Sequence, residues 1–166
     1  MVLRVEDAVE ADAPALAALR TAVAERLTWQ FGRGHWSSTA SEAGVLSGMR
    51  GSRVLVARDS ERIVGTLALA ARKPWAIDPA FFTPARAPLY LTDMAVDPSV
   101  QRTGIGRRLI DEAVAVARSQ GSDAIRLDAY DAAAGAGDFY AKCGFRETGR
   151  VTYRNTPLVY FEMVLG

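Results

Sequence analysis

One stretch of this sequence, residues 89–120, leaves few options for the fold. It opens on the apolar run Leu89-Tyr90-Leu91-Thr92-Asp93-Met94-Ala95-Val96 and turns at Asp97-Pro98. It then passes through Gln101-Arg102-Thr103-Gly104-Ile105-Gly106-Arg107-Arg108 and continues with an apolar stripe to Gln120. The pattern predicts a strand, a glycine-bearing turn and a helix from about Thr103 to Gln120. The glycines let backbone approach a ligand with no Cβ in the way. N–H groups of a first helical turn lack partners inside the helix, and the helix dipole favours an anion there, a phosphate above all. Arg102, Arg107 and Arg108 add positive charge around that point.

Two familiar glycine motifs fail against this turn. A dinucleotide fingerprint needs a third glycine where Leu109 stands, and an ATP-type phosphate loop needs Gly-Lys-Ser/Thr where the chain has Gly-Arg-Arg. Gln/Arg-x-x-Gly-x-Gly between a strand ending Ala-Val-x-Pro and an amphipathic helix is far more specific. It resembles the acyl-coenzyme A site of the GNAT superfamily of N-acetyltransferases. The resemblance covers most of residues 2–165, its specific part being 90–146. It implies acetyl-CoA as donor, with the pyrophosphate on Gln101, Arg102, Thr103, Gly104, Ile105, Gly106 and Arg107. The pantetheine arm would follow Met94, Ala95 and Val96, with main-chain bonds from Met94 and Val96 and the Met94 N–H facing the thioester carbonyl.

A length of 166 residues suits one domain, 1–166, with a proper core. A net charge of +1 gives no global pull toward nucleic acid or acidic membranes. With 23% charged and 49% apolar residues, the chain reads as globular rather than disordered. It shows no basic-then-apolar leader and no apolar run of the roughly 18 residues that span a bilayer. One cysteine, Cys143, precludes an internal disulfide and fits a reducing cytoplasm. One cysteine and one histidine cannot build a typical Cys/His metal site in a single chain.

Taken in order, residues 2–6 alternate as a short strand. Asp12 is expected to cap a helix with Pro14 in its first turn and Leu16, Leu19, Val23 and Leu27 on one face. Thr39 and Glu42 stand in capping-box spacing for a second helix carrying Val45, Leu46 and Met49. Residues 53–58 and 62–71 read as strands joined by a polar turn. Four prolines, Pro74, Pro79, Pro84 and Pro88, interrupt regular structure, so this stretch is either a loop packing its own aromatics or a substrate-side flap. Beyond the organising helix, whose face is Ile105, Leu109, Ile110, Ala113, Val114 and Ala117, Gly121 is the stop. Residues 124–129 form a strand, 133–143 a helix stopped by Gly144, and 145–152 and 158–165 two last strands. The order predicts an α/β fold: a mixed, mostly antiparallel central sheet with helices on both faces, parallel around the strands flanking the organising helix. This agrees with a GNAT-like acyl-CoA N-acyltransferase fold.

Acyl transfer from a thioester to an amine needs a neutral amine, a polarised carbonyl, a stabilised leaving thiolate and reactants held together. Tyr140 stands four residues before Gly144-Phe145. The resemblance implies that its hydroxyl lies near the coenzyme sulfur as general acid; the plainer reading is a core tyrosine. Relatives often carry a glutamate a few residues before the Ala-Val; here Tyr90, Leu91 and Thr92 offer no carboxylate, and Asp93 is the nearest. Strand alternation sets Asp93 opposite Thr92 and Met94, so it is either base or amine anchor, or a structural carboxylate. Asp128 and Asp131 either bind an amine or end their strand. Relatives also carry an asparagine where Ala133 stands, a coenzyme contact for which Asp131 is the available substitute. Gly135 and Gly137 fit a close approach to the coenzyme or a tight helix–sheet contact. His35, the sole histidine, is a proton acceptor or a surface residue, and Trp29 and Trp36 wall an acceptor pocket or belong to the core.

These readings converge on an N-acetyltransferase transferring acetyl directly from acetyl-CoA to a primary amine of a small molecule. The rival readings are a non-catalytic acyl-CoA-binding regulatory module and an acetyltransferase acting on protein amines. No metal, nucleic-acid or membrane partner is expected, the apolar loops leave room for a homodimer, and the expected location is the cytoplasm.

Overall fold

In the computed structural model, which describes residues 2–166, the elements follow the predicted order. They are β1 (Leu3–Asp7), α1 (Ala13–Phe31), α2 (Glu42–Gly51), β2 (Arg53–Asp59), β3 (Arg62–Ala70) and β4 (Pro88–Val96). Then come α3 (Ile105–Ser119), β5 (Ala124–Tyr130), α4 (Gly137–Lys142), β6 (Arg146–Tyr153) and β7 (Thr156–Val164). The seven strands form one sheet in the order β1-β2-β3-β4-β5-β7-β6. Pairing is antiparallel for β1–β2, β2–β3, β5–β7 and β6–β7, and parallel for β4–β5, the strands that flank α3 in sequence. A parallel pair needs a crossover, and α3 supplies it. The chain divides into two compact units, and β4 and α3 run through both.

The first unit holds the described residues up to Leu69 together with Thr92–Ala113. Its core joins Leu16 and Leu19 of α1, Val45 of α2, Val54 and Val56 of β2, Ile63 and Ala68 of β3, and Ala95 of β4. Strands β2 and β3 are buried almost without alternation, as inner strands covered on both faces should be, whereas the edge strand β1 is largely exposed. Two helix starts differ from expectation. Ser41, not Thr39, caps α2, its Oγ accepting the Gly44 N–H at 3.0 Å. Asp12 occupies the cap position of α1 but makes no capping bond to it; its carboxylate accepts the Val9 N–H at 2.9 Å and binds Arg58 at 2.7 Å. Short polar side chains compete for several nearby donors, and sequence spacing alone does not choose among them.

The second unit holds Ala70–Leu91 and Val114–Gly166. The loop after β3 packs its own apolar residues: Ile77 and Phe82 are buried with Tyr90 and Tyr160, while Trp75 is 81% exposed. The Tyr160 hydroxyl donates to the Ala76 carbonyl and accepts the Asp78 N–H at 3.2 Å, pinning the loop to β7. Below it, Glu162 (1% exposed) takes Thr83 Oγ1 at 2.7 Å and Arg146 at 2.7 Å. A buried carboxylate persists only with such partners. The β6–β7 hairpin turns at Arg154 and Asn155, both left-handed (φ 47° and 67°), the primed two-residue geometry that matches strand twist. Helix α4 begins at Gly137, four residues later than predicted. Gly135 sits in the preceding turn, where a Cβ would stand 1.9 Å from the Tyr130 carbonyl oxygen. The backbone therefore folds onto the end of β5 before the helix can start.

Candidate active site

Residues that the sequence singles out fall into both units. In the first, Gly65 of β3 shapes the approach of α3: a Cβ there would lie 2.9 Å from Leu109 Cδ1 and 3.0 Å from Ile105 Cγ2. A side chain at 65 would push away the start of the helix. The Asp97 N–H donates to Val64 O at 2.9 Å, and Asp97 accepts the Ser99 N–H at 2.9 Å and contacts Arg62. Burial acts to raise the proton affinity of Asp97, but the Ser99 bonds and Arg62 outweigh it and hold the carboxyl below its usual range.

The turn itself is built from within. Gln101 Nε2 donates to Val96 O at 3.2 Å and Thr103 Oγ1 to Val100 O at 2.5 Å. Arg102 (φ 64°) and Gly104 (φ 89°) are both left-handed. A turn of this kind directs successive N–H groups to one side and forms a concavity for anions. A Cβ at Gly104 would meet nothing within 4 Å, so its outer side is open and φ, not crowding, calls for glycine. Ile105 is 1% exposed, so that residue offers only backbone to a ligand. Gln101, Arg102, Thr103, Arg107 and Arg108 are exposed, and Arg107 Nε donates to Asp111 at 3.3 Å one helical turn on. Open backbone donors, left-handed geometry and surrounding arginines fit a pyrophosphate.

Asp93 departs from regular strand geometry, with φ 54° inside β4. Its carboxylate lies outward, 55% exposed, and pairs with Arg20 of α1 at 3.4 Å. Ala95 is buried, and Met94 and Val96 are half-buried. Trp29 is 78% exposed with Arg26 over its ring at 5.1 Å. Trp36 donates from Nε1 to Gly32 O at 2.9 Å and folds over Gly34, and His35 is exposed.

In the second unit Tyr140 of α4 is 7% exposed, with ring centroids of Phe139, Phe145 and Phe161 at 5.3, 5.8 and 6.2 Å. Burial, reinforced by the negative charge of Asp128 and the thiol of Cys143, raises its proton affinity well above the usual tyrosine range. The hydroxyl thus keeps its proton at neutral pH: a proton donor rather than a base. Cys143 is itself buried, unlike an acyl-carrying nucleophile.

Asp128 of β5 stands opposite Tyr160 of β7, and Leu127 stands opposite Phe161. Opposed residues share a face and successive residues alternate. Asp128 and Tyr160 therefore lie on the face covered by the Ile77–Phe82 stretch, whereas Phe161 and Leu127 face α4. The half-buried Asp128 carboxyl is raised above its ordinary range by burial. Among the described residues no hydrogen bond or ion pair engages it. Asp131, by contrast, binds Arg150 at 2.9 Å and lines a cavity of 370 Å³ with Gly137, Glu147 and Phe161. Arg20, Tyr160 and Arg150 carry no motif in the sequence; only their partners across the fold give them a place. Among the described residues no group of three or more His, Cys, Asp or Glu is placed to hold a metal ion, and no helix is long and apolar enough to cross a membrane.

Comparison with known proteins bears on this arrangement. The model of the acetyltransferase (GNAT) domain matches residues 50–147, which include the turn and Tyr140. The chain belongs to the GNAT acetyltransferase family. Glucosamine 6-phosphate N-acetyltransferase of Trypanosoma brucei brucei is 33% identical over 95 residues, which cover 57% of this chain and 58% of that protein. The matched stretch thus spans less than two thirds of that relative. Among solved structures, Ard1 from Thermoplasma volcanium superposes with a TM-score of 0.75 at 17% identity, covering 100% of this chain and 99% of that one. The yncA protein of Salmonella typhimurium, solved with its cofactor acetyl-CoA, has a TM-score of 0.72 at 18% identity, covering 100% and 95%. At these identities the structural likeness speaks for the fold alone.

Proposed function

We propose that this GNAT-family chain is an N-acetyltransferase that moves an acetyl group from acetyl-CoA to a primary amine of a small molecule by direct transfer. The observation that carries the reading is the turn at 101–107: left-handed Arg102 and Gly104 with an open outer side, directly before a helix start, a place that favours an anion. In this reading the turn binds the coenzyme pyrophosphate and the Met94 and Val96 main chain takes the pantetheine amides. The Met94 N–H faces the thioester carbonyl. Tyr140, held protonated by its apolar cage, gives its proton to the departing thiolate. Asp131, already bound to Arg150, is the polar group left to meet the coenzyme where Ala133 offers none.

The trypanosomal relative is named for an amino-sugar phosphate, which supports a small amine over a protein terminus. Trp29, His35 and Trp36 remain candidates for acceptor contacts and Asp93 for holding a cationic amine beside Arg20. The test is thiol release from acetyl-CoA across a panel of amines, amino sugars, amino acids and peptides. Turnover with a small amine, together with coenzyme binding lost in Gly104→Asp, is the expected result. Tight coenzyme binding without turnover by any amine would favour a sensor instead. Absence of coenzyme binding would refute the reading of the turn.

A further inference from the structure

We infer that Arg20 holds an oxyanion carried by the acceptor, so that the small amine is one that bears a carboxylate or a phosphate. This rests on the acetyltransferase reading above and specifies its substrate class. The starting point is a local conflict in α1. One stripe of that helix runs Ala13, Leu16, Arg20 and Ala24 at helical spacing. Ala13, Leu16 and Ala24 are buried, and an arginine stands among them. A guanidinium drawn out of water there is costly unless an anion and hydrogen-bond acceptors meet it.

Those partners are incomplete. The Arg20 side chain is 21% exposed, and its ion pair among the described residues is a single contact from Nη2 to Asp93 at 3.4 Å. That is beyond the roughly 2.7–2.9 Å of a charge-assisted hydrogen bond. Its Nε is buried with no hydrogen-bond partner. Arg58, also largely buried in the same unit, is fully served by contrast: it binds Glu6 at 2.6 Å and Asp12 at 2.7 Å. Arg126 of the second unit donates to Tyr90 Oη at 3.0 Å and to Thr83 O at 2.8 Å. The Asp93 carboxylate is more than half exposed, so water serves it when Arg20 turns to another anion. A long ion pair with an exposed partner contributes little and gives way readily.

Position makes the acceptor the source of that anion. Asp93 directly precedes Met94, whose N–H is read as the partner of the thioester carbonyl, and consecutive Cα atoms stand about 3.8 Å apart. Arg20 thus ends beside the acyl site, and Arg20, Asp93 and Met94 all belong to the first unit. The coenzyme pyrophosphate is read onto the turn at 101–107, and the acyl end of its arm is neutral. An anion beside the acyl group must therefore arrive with the amine. The turn of α1 that carries Arg20 is held in place: Thr21 Oγ1 donates to Ala40 O at 3.4 Å, and Thr28 Oγ1 and Ser37 Oγ lie 2.7 Å apart. A guanidinium on a fixed helix, its planar fork engaged at one nitrogen, suits bidentate binding of a carboxylate or phosphate.

The test is kcat/KM for matched acceptors that differ in the anion alone: amino acids against their amides, and amino sugars against their phosphate monoesters. Wild type, Arg20→Met and Arg20→Lys are compared, with coenzyme binding and thermal melting measured on all three. Arg20→Met keeps the length and takes a charge out of an apolar stripe, so it should melt near the wild-type temperature. Wild type should prefer the anionic member of one series by about 10–10²-fold, the worth of a hydrogen bond to a charged group. Arg20→Met should bring that ratio close to one through a higher acceptor KM, and Arg20→Lys should keep part of it. A preference among the amino acids identifies a carboxylate, and one among the sugars a phosphate. Equal loss on both members of every pair would make Arg20 a clamp between α1 and β4 and overturn the assignment. So would a wild type that does not distinguish the pairs, whatever the variants do; both results leave the acetyltransferase reading intact. A wild type that binds no coenzyme, or binds it and acetylates no acceptor, would instead overturn that reading, and this assignment with it.

Discussion

Replacing Tyr140 by phenylalanine removes one oxygen and keeps the ring. The aromatic cage of Phe139, Phe145 and Phe161 at 5.3–6.2 Å therefore survives. Loss of a single buried hydroxyl changes stability by about 1 kcal/mol at most. The rate consequence is much larger, because general-acid assistance contributes about 10²–10⁴-fold. At 1.36 kcal/mol per decade this is about 3–5 kcal/mol of transition-state stabilisation. The thiolate of coenzyme A must then leave without a proton donor, so kcat and kcat/KM should fall together while coenzyme affinity holds. Thiol release gives the rate, calorimetric titration the affinity, and thermal melting the fold. Because burial drives the Tyr140 proton affinity upward, wild-type activity should show no alkaline limb from this group below about pH 10, the ordinary tyrosine value. A Tyr140→Phe variant with wild-type kcat would refute the general-acid role. So would one whose entire defect lies in coenzyme binding.

Other positions give independent checks. Gly135→Ala forces a Cβ against the Tyr130 carbonyl and should destabilise the protein by about 1–3 kcal/mol, seen as a lower melting temperature. Asp97→Ala removes the bond to the Ser99 N–H just before the turn proposed to bind coenzyme; it should cost about 1 kcal/mol in stability and raise the KM for acetyl-CoA. Glu162 is opposed by burial, but hydrogen bonds from Thr83 and Arg146 prevail and hold its carboxyl below the unfolded value. A depressed carboxylate contributes stability above its unfolded pKa of about 4.3 and loses it as pH falls through the folded value. Acid unfolding followed by circular dichroism should therefore begin at higher pH in Arg146→Met than in wild type.

Periodicity made the element order and the parallel pair around α3 legible, because hydrophobic alternation and helical spacing are local properties. Gly104, Gly121 and Gly144 were readable as turn and stop positions for the same reason, and all three are left-handed. Helix starts were less legible. Thr39 and Ser41 are equivalent in composition, and the choice of Ser41 depends on which hydroxyl meets the Gly44 N–H. The late start of α4 follows from Gly135 lying on the Tyr130 carbonyl, a contact between residues that no pattern rule links. At the candidate site, the turn could be read because it is contiguous. The state of each carboxylate could not: Asp93 and Asp128 look alike in sequence, yet Arg20, 73 positions before Asp93 and with no motif of its own, pairs with Asp93 and leaves Asp128 without an ion pair. Face assignment of Asp128 and Tyr140 likewise required the β5–β7 register.

Direct acetyl transfer from acetyl-CoA to an amine can be followed with a carbon-labelled acetyl group on acetyl-CoA in the presence of the amine panel. Expected are label on the nitrogen of a small amine, coenzyme A released in equal amount, and no label retained by the protein. Label bound covalently to the chain, or label that stays on coenzyme A with every amine despite tight binding, would contradict it.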